Sequence, residues 1–304
     1  MNPQLIDILE SPDDHSSLSY DEQLHVLVSA SAKHHYKIEK NVPVLLIKEA
    51  QESHRESTHH HKQDSKFYYV DHYQKDAEHF NYFEAFTDPA TVHENRRLHE
   101  VITSEVPKSA KTILDVGCGN AWVAAHFCPK GASVYSFDIS TTNTVKAIQK
   151  YPFENHFAIT GDVYALPIKE NSFDCVISAE VIEHVPDLMA YIKNLLRVVK
   201  PGGSIIITTP YNEQISYSLC IHCNKLTPQH AHIHSFNEEK VKDLLSRFGN
   251  IEFGMYTFSS KMLAKLKTHI FLKHLPFKFW RFIDALANKL YKKPYRLLIS
   301  IHKE

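Results

Sequence analysis

Apolar and polar positions change texture twice along the chain. Up to residue 48 the apolar residues come in short runs ("LIDIL" at 5–9, "LHVLVSA" at 24–30, "NVPVLLI" at 41–47), broken by Pro, Asp and Ser. This pattern predicts a small strand-rich module over 1–48. Residues 49–66, "EAQESHRESTHHHKQDSK", are polar throughout and read as a linker, the three histidines included. Helical spacing then runs through 67–86, where Tyr69, Tyr73 and Phe80 are placed to close over a ligand or to face the core, and through 92–106. Beyond it, strand and helix patterns alternate. Strands are expected at 112–116, 134–138, 156–161, 173–178, 204–209, 252–258 and 296–302, with helices near 121–128, 141–150, 188–199 and 237–248. Such alternation predicts an α/β fold, a doubly wound, seven-stranded, mostly parallel sheet whose last two strands form an antiparallel pair, with ligands at the carboxyl ends of its strands.

The first strand of that series runs into "ILDVGCGNAW" at 113–122. A dinucleotide fingerprint needs a third glycine at 122, which is Trp122. In the tighter G-x-G-x-G form the third small position holds Ala121, which still lets the next helix pack close. The carboxylate of Asp115 at the head of the turn is a poor neighbour for a pyrophosphate and a good partner for an ammonium. The turn therefore favours a ligand with a cationic amino-acid end, such as S-adenosylmethionine, over NAD. Asp138 ends the second strand, where a carboxylate accepts ribose hydroxyls, and Ile139 beside it offers an apolar face to adenine. Asp162 ends the third strand next to Val163, placed for the adenine amino group. "AEVIEHV" follows the fourth strand, and "KPGGS" opens the fifth.

With these landmarks in register, residues 112–209 resemble the class I S-adenosylmethionine-dependent methyltransferases. The resemblance implies a Rossmann-like methyltransferase domain over 67–304. It implies S-adenosyl-L-methionine held by Asp115, Gly117, Gly119, Asp138, Ile139, Asp162, Val163 and the chain at Glu180. Asp115 and Asp162 as simple turn caps are the alternative. Rate would come from in-line positioning, with a general base added for a hydroxyl acceptor.

The N-terminal runs carry a second resemblance, to the small zinc-ribbon-like proteins that activate tRNA and release-factor methyltransferases. Ser11, Asp14, Ser29 and Ala32 stand where that family has its cysteine pairs. They offer no thiolate or imidazole. A degenerate, metal-free module packed on the catalytic domain is expected, with an independent spacer as the alternative.

Two constellations raise metal chemistry. In "EVIEHV", Glu180, Glu183 and His184 have the spacing of one helix face, with His230, His232 or His234 following the fifth strand. The run resembles metal-dependent O-methyltransferases of ubiquinone synthesis and of small-RNA ends. The same residues also suit a metal-free enzyme with His184 as base and Glu183 beside it, since imidazole titrates nearest neutral pH. Further on, Cys220-x-x-Cys223 with His230 and His234 has the ligand types of a structural zinc site in the loop 211–236. A substrate-facing loop with two thiols is the other reading.

Composition narrows the partners. A net charge of -1 and no basic stripe through the catalytic core make nucleic acid the weaker partner. The expected reaction is O-methylation of a small-molecule or lipid-like acceptor, with an RNA methyltransferase (2′-O or tRNA) or a non-catalytic cofactor-binding scaffold as alternatives. Five cysteines without a disulfide-framework pattern, no signal-peptide pattern and no long apolar span suggest the cytoplasm. Residues 259–294 interleave nine Lys and Arg with apolar side chains and a single acid, Asp284. That insertion reads as a lid or as a surface lying peripherally on anionic membrane.

Overall fold

The structure is a computed structural model describing residues 1–47, 68–221 and 224–304; the expected linker at 49–66 lies outside the described residues. The chain divides into two compact units. One comprises Met1–Glu84, Ser109–Ile177 and Ala190–Pro201, the other Ala85–Lys108, Ser178–Met189 and Gly202–Glu304.

The first unit opens with α1 (Pro3–Ile8), capped by Asn2, and an antiparallel meander of β1 (Leu18–Asp21), β2 (Val26–Ser29), β3 (His35–Glu39) and β4 (Val42–Leu45). It continues with α2 (Tyr69–His79). After α3 (Pro89–Glu105), which belongs to the second unit, come β5 (Thr112–Val116), α4 (Trp122–Phe127), β6 (Ser133–Asp138), α5 (Thr141–Lys150), β7 (His156–Gly161) and β8 (Phe173–Ala179). In this unit the strand order is β1-β2-β3-β4-β7-β6-β5-β8. The β4–β7, β7–β6 and β6–β5 pairs are parallel. Ile113, Leu114, Val134, Ile159 and Val176 are fully buried in the strands, the near-continuous apolar reading that a parallel sheet covered on both faces requires. α2 stops at His79, short of the helix expected through 86.

The N-terminal module adds β4 to the edge of this sheet, Leu45 opposite Gly161. A Cβ at Gly161 would sit 2.8 Å from the Phe137 ring and 3.3 Å from the Leu45 carbonyl, so glycine permits the approach. Glu10 accepts from Arg197 at 2.8 Å within the same unit. At the positions that lack metal ligands, hydrogen bonds tie the two turns. The Ser11 hydroxyl lies 2.8 Å from the Tyr36 hydroxyl, Ser31 donates to Asp14 at 2.6 Å, and Ser29 lies 2.9 Å from Ser31.

β8, α6 (Leu188–Val198) and β9 (Val199–Pro210) each run across a unit boundary. The second unit takes most of β9, then the hairpin β10 (Tyr217–Leu219) and β11 (Leu226–Pro228), α7 (Glu238–Leu245), β12 (Ile251–Ser260), α8 (Lys261–Lys265), α9 (His269–Leu272), α10 (Phe277–Leu290) and β13 (Pro294–Lys303). Here β9, β13 and β12 are antiparallel neighbours. All seven expected catalytic-domain strands are present. A hairpin between β12 and β13 would need only a few residues; three helices stand there instead. Arg97 of α3, fully buried, donates to the carbonyls of Leu272 and Leu275 at 2.6 and 2.9 Å and stacks 5.0 Å over Trp280, which fixes the insertion to its unit. Among the described residues no helix is long and apolar enough to cross a membrane.

Candidate active site

In the first unit, the glycine turn after β5 bends through left-handed backbone at Gly117 (φ 69°) and Gly119 (φ 47°). The Gly117 and Cys118 amides return to the Phe137 carbonyl at 2.8 and 3.1 Å. A Cβ at Gly119 would meet nothing closer than 3.9 Å, so its glycine is required by φ, not by space. Ala121 is also left-handed (φ 55°) at the start of α4. The third small position thus demands a backbone state that strains an L-residue, a point that packing arguments on the sequence miss.

Three buried carboxylates converge on the carboxyl ends of β5, β6 and β7. Asp138 accepts Gly119 N–H at 3.2 Å, Ser140 N–H at 2.9 Å and Asn143 Nδ2 at 3.3 Å, and burial raises its affinity for a proton. Asp162 accepts the Tyr69 hydroxyl at 2.5 Å and the Tyr164 N–H at 2.9 Å, and burial raises it likewise. Asp115 differs. Its Oδ2 is buried with no hydrogen-bond partner, and burial, with the nearby charge of Asp138, pushes its carboxyl up to about 8. An orphaned carboxylate oxygen at the head of a glycine turn fits the ammonium of an amino-acid ligand, because such a group would supply both the missing donor and the missing charge. Ile139 packs with Val44, Leu46 and Val70 and lines a cavity of about 590 Å³ with Gln74 and Thr141. Val163 starts a short 3-10 turn whose carbonyl accepts from Asn194 at 2.8 Å. α2 closes on this region through Tyr69 on Asp162 and through Gln74, whose Oε1 accepts from Thr141 N–H at 2.9 Å. Phe80 points outward, 64% exposed.

In the second unit, the E-x-x-E-H run does not form the single helix face that its spacing suggests. Glu180 adopts φ 56°, and only Ile182–His184 form a 3-10 turn. The left-handed residue sets Glu180 against Arg296 at 3.3 Å, near enough for its charge to help raise the Glu183 carboxyl. Glu183 is 1% exposed, accepts the Thr209 hydroxyl at 3.1 Å and, chiefly through burial, holds its proton well above the usual carboxylate range. His232 takes the third place: ligand atoms of Glu183, His184 and His232 all lie within 4.8 Å of one another. The His184 Nδ1 faces the Ala231 carbonyl at 3.3 Å and must donate to it. The His232 Nδ1 bonds Glu213 at 2.6 Å. With Nδ1 so engaged, a neutral imidazole at either position has its lone pair on Nε2. His234 bonds the Val185 carbonyl at 3.0 Å, and the His230 ring lies 5.9 Å from that of His232. Cys220 borders the β10–β11 hairpin and Cys223 lies outside the described residues. Among the described residues Cys220, His230 and His234 are not brought into one ligand group.

The family described as "Methyltransferase domain" matches residues 114–207. Mouse "Ubiquinone biosynthesis O-methyltransferase, mitochondrial" is 35% identical over 121 residues, covering 38% of this chain and 33% of that protein. "Tocopherol O-methyltransferase, chloroplastic" of Arabidopsis thaliana is 32% identical over 131 residues, covering 41% and 37%. The chain thus spans about a third of the length of these curated relatives. Among solved structures, a putative S-adenosylmethionine dependent methyltransferase from Listeria monocytogenes superposes with a TM-score of 0.50 at 15% identity, covering 69% of this chain and 99% of that one. The expected α/β class is the fold observed: residues 114–207 match the methyltransferase-domain family, on the Rossmann-like fold that S-adenosylmethionine-dependent methyltransferases share.

Proposed function

We propose that the protein transfers a methyl group from S-adenosylmethionine to a hydroxyl of a small, lipid-like acceptor. Asp115 would hold the amino group of the cofactor, the turn at Gly117 and Gly119 its amino-acid end, Asp138 the ribose, and Asp162 with Ile139 and Val163 the adenine. Glu180, at the exit of β8, would border the methionine end. The bound cofactor supplies an electrophilic methyl on a sulfonium, a reaction that needs alignment more than acid help.

The observation that carries the hydroxyl reading is the Glu183–His184–His232 cluster, with Glu213 behind His232. Two Nε2 lone pairs and a carboxylate suit two related tasks. His184 can take the acceptor proton directly, or the three groups can hold a divalent cation that lowers the acceptor hydroxyl's affinity for its proton. The relatives named for ubiquinone and tocopherol O-methylation support a small, lipid-like acceptor. Residues 1–48 are read as a zinc-ribbon-like module in which the hydrogen bonds of Ser11, Asp14, Ser29 and Ser31 replace the metal, followed by a linker at 49–66 and the methyltransferase domain at 67–304.

The test is methyl transfer from labelled S-adenosylmethionine to a panel of phenols and catechols with isoprenoid tails. It is run after chelation and again with Mg²⁺, Mn²⁺ or Zn²⁺ restored. Transfer that disappears in His184→Ala and Glu183→Gln supports the cluster's role; restoration by metal selects the cation over the free base. Absence of cofactor binding by calorimetry at millimolar concentration would sink the reading.

A further inference from the structure

The insertion between β12 and β13 turns two different faces to its surroundings. On α10, Trp280, Asp284 and Ala287 are buried. Phe279, Phe282, Leu286 and Leu290 are 65, 69, 47 and 75% exposed. Their spacing of three, four and four residues places all four on one stripe of the helix. Lys278 and Lys289, both exposed, run along one flank of that stripe. Leu266, Ile270 and Phe271, earlier in the insertion, are also 52–76% exposed. The only acid between 261 and 293, Asp284, is turned inward, where its carboxylate accepts the Ser259 and Ser260 amides at 3.0 and 2.7 Å. What faces outward is therefore apolar or positive.

We propose that this stripe lies on an anionic lipid surface, with Phe279, Phe282, Leu286 and Leu290 entering the interface and Lys278 and Lys289 meeting headgroup phosphates. A contiguous exposed apolar patch on a folded protein marks an interaction surface. Its charge decides the partner. Protein–protein interfaces are depleted in lysine, whereas an aromatic stripe flanked by lysines with no outward acid matches the interfacial amphipathic helix. The surface is also displayed rigidly, since Arg97 holds the Leu272 and Leu275 carbonyls and the Trp280 ring from within the same unit. The inference stands on this face and not on the methyl-transfer reading, so its test reads binding alone.

The full-length protein is floated with vesicles of phosphatidylcholine, or of phosphatidylcholine mixed with phosphatidylglycerol, at low and raised salt. Binding is expected only to the anionic vesicles and falls with salt. Phe279→Ser with Phe282→Ser should abolish it. Lys278→Gln with Lys289→Gln should weaken it by about fivefold per lysine. All four positions are exposed, and circular dichroism checks that both variants keep the fold. No binding to anionic vesicles at low salt overturns the proposal. So does light scattering that shows a dimer which the double serine variant splits, because the face would then pair two copies of the chain.

Discussion

Oδ2 of Asp138 accepts the backbone N–H of Gly119 at 3.2 Å, so the acid at the end of β6 and the glycine turn after β5 are held as one unit. Removing the carboxylate frees the turn and removes the proposed ribose acceptor together. Asp138→Ala is expected to weaken S-adenosylmethionine binding by about 10–100-fold, or about 1.5–3 kcal/mol for a charged hydrogen-bond partner. Calorimetric titration of the purified variant measures this.

Asp115 predicts a proton-linked binding event. Its carboxyl, pushed up to about 8, holds a proton at neutral pH in the ligand-free protein and must lose it to face an ammonium. Binding at neutral pH should release close to one proton, read as a dependence of apparent binding heat on buffer ionisation enthalpy. Asp115→Asn should remove that release. The linkage also has a stability sign. A raised folded-state value means the contribution of Asp115 to stability is fully present below about 3.8 and is lost as pH rises through about 8. Denaturant midpoints of wild type and Asp115→Asn should therefore diverge across that window.

Arg97→Met should destabilise the second unit. It strips donors from the Leu272 and Leu275 carbonyls and a cation from over Trp280, for about 2–6 kcal/mol at one to three per bared acceptor. Arg97→Lys recovers little, because an ammonium lacks the planar fork that reaches both carbonyls. Urea unfolding curves separate the three proteins.

Glu180→Gly should divide stability from activity. Its φ of 56° costs a non-glycine residue about 1–2 kcal/mol, which glycine returns. The loss of the Arg296 contact at 3.3 Å offsets part of that gain. The melting temperature should hold or rise while methyl transfer falls, as expected where strain is kept at a working residue.

Sequence alone determined the series β5 to β9, the glycine turn and the three acids at strand ends. Each of these rests on local signals: alternation of apolar runs, a turn that only small residues permit, and a fixed distance from strand to carboxylate. It also determined that 261–293 carries one acid among nine cations. Tertiary structure alone decided which distant groups meet. The E-x-x-E-H spacing suggests Glu180 with Glu183 and His184, but one left-handed residue replaces Glu180 with His232, brought from beyond β9. Helical periodicity in 69–79 could not say that the Tyr69 hydroxyl seals Asp162, nor that Phe80 faces outward. The same limit hid which side of α10 packs and which stays exposed, since both sides carry large apolar residues and the single acid lies on the packed one. Periodicity reports that a helix has faces; only the packing of segments far apart in the chain assigns each face a neighbour, because that choice depends on long-range contacts whose loop-closure entropy leaves no local mark.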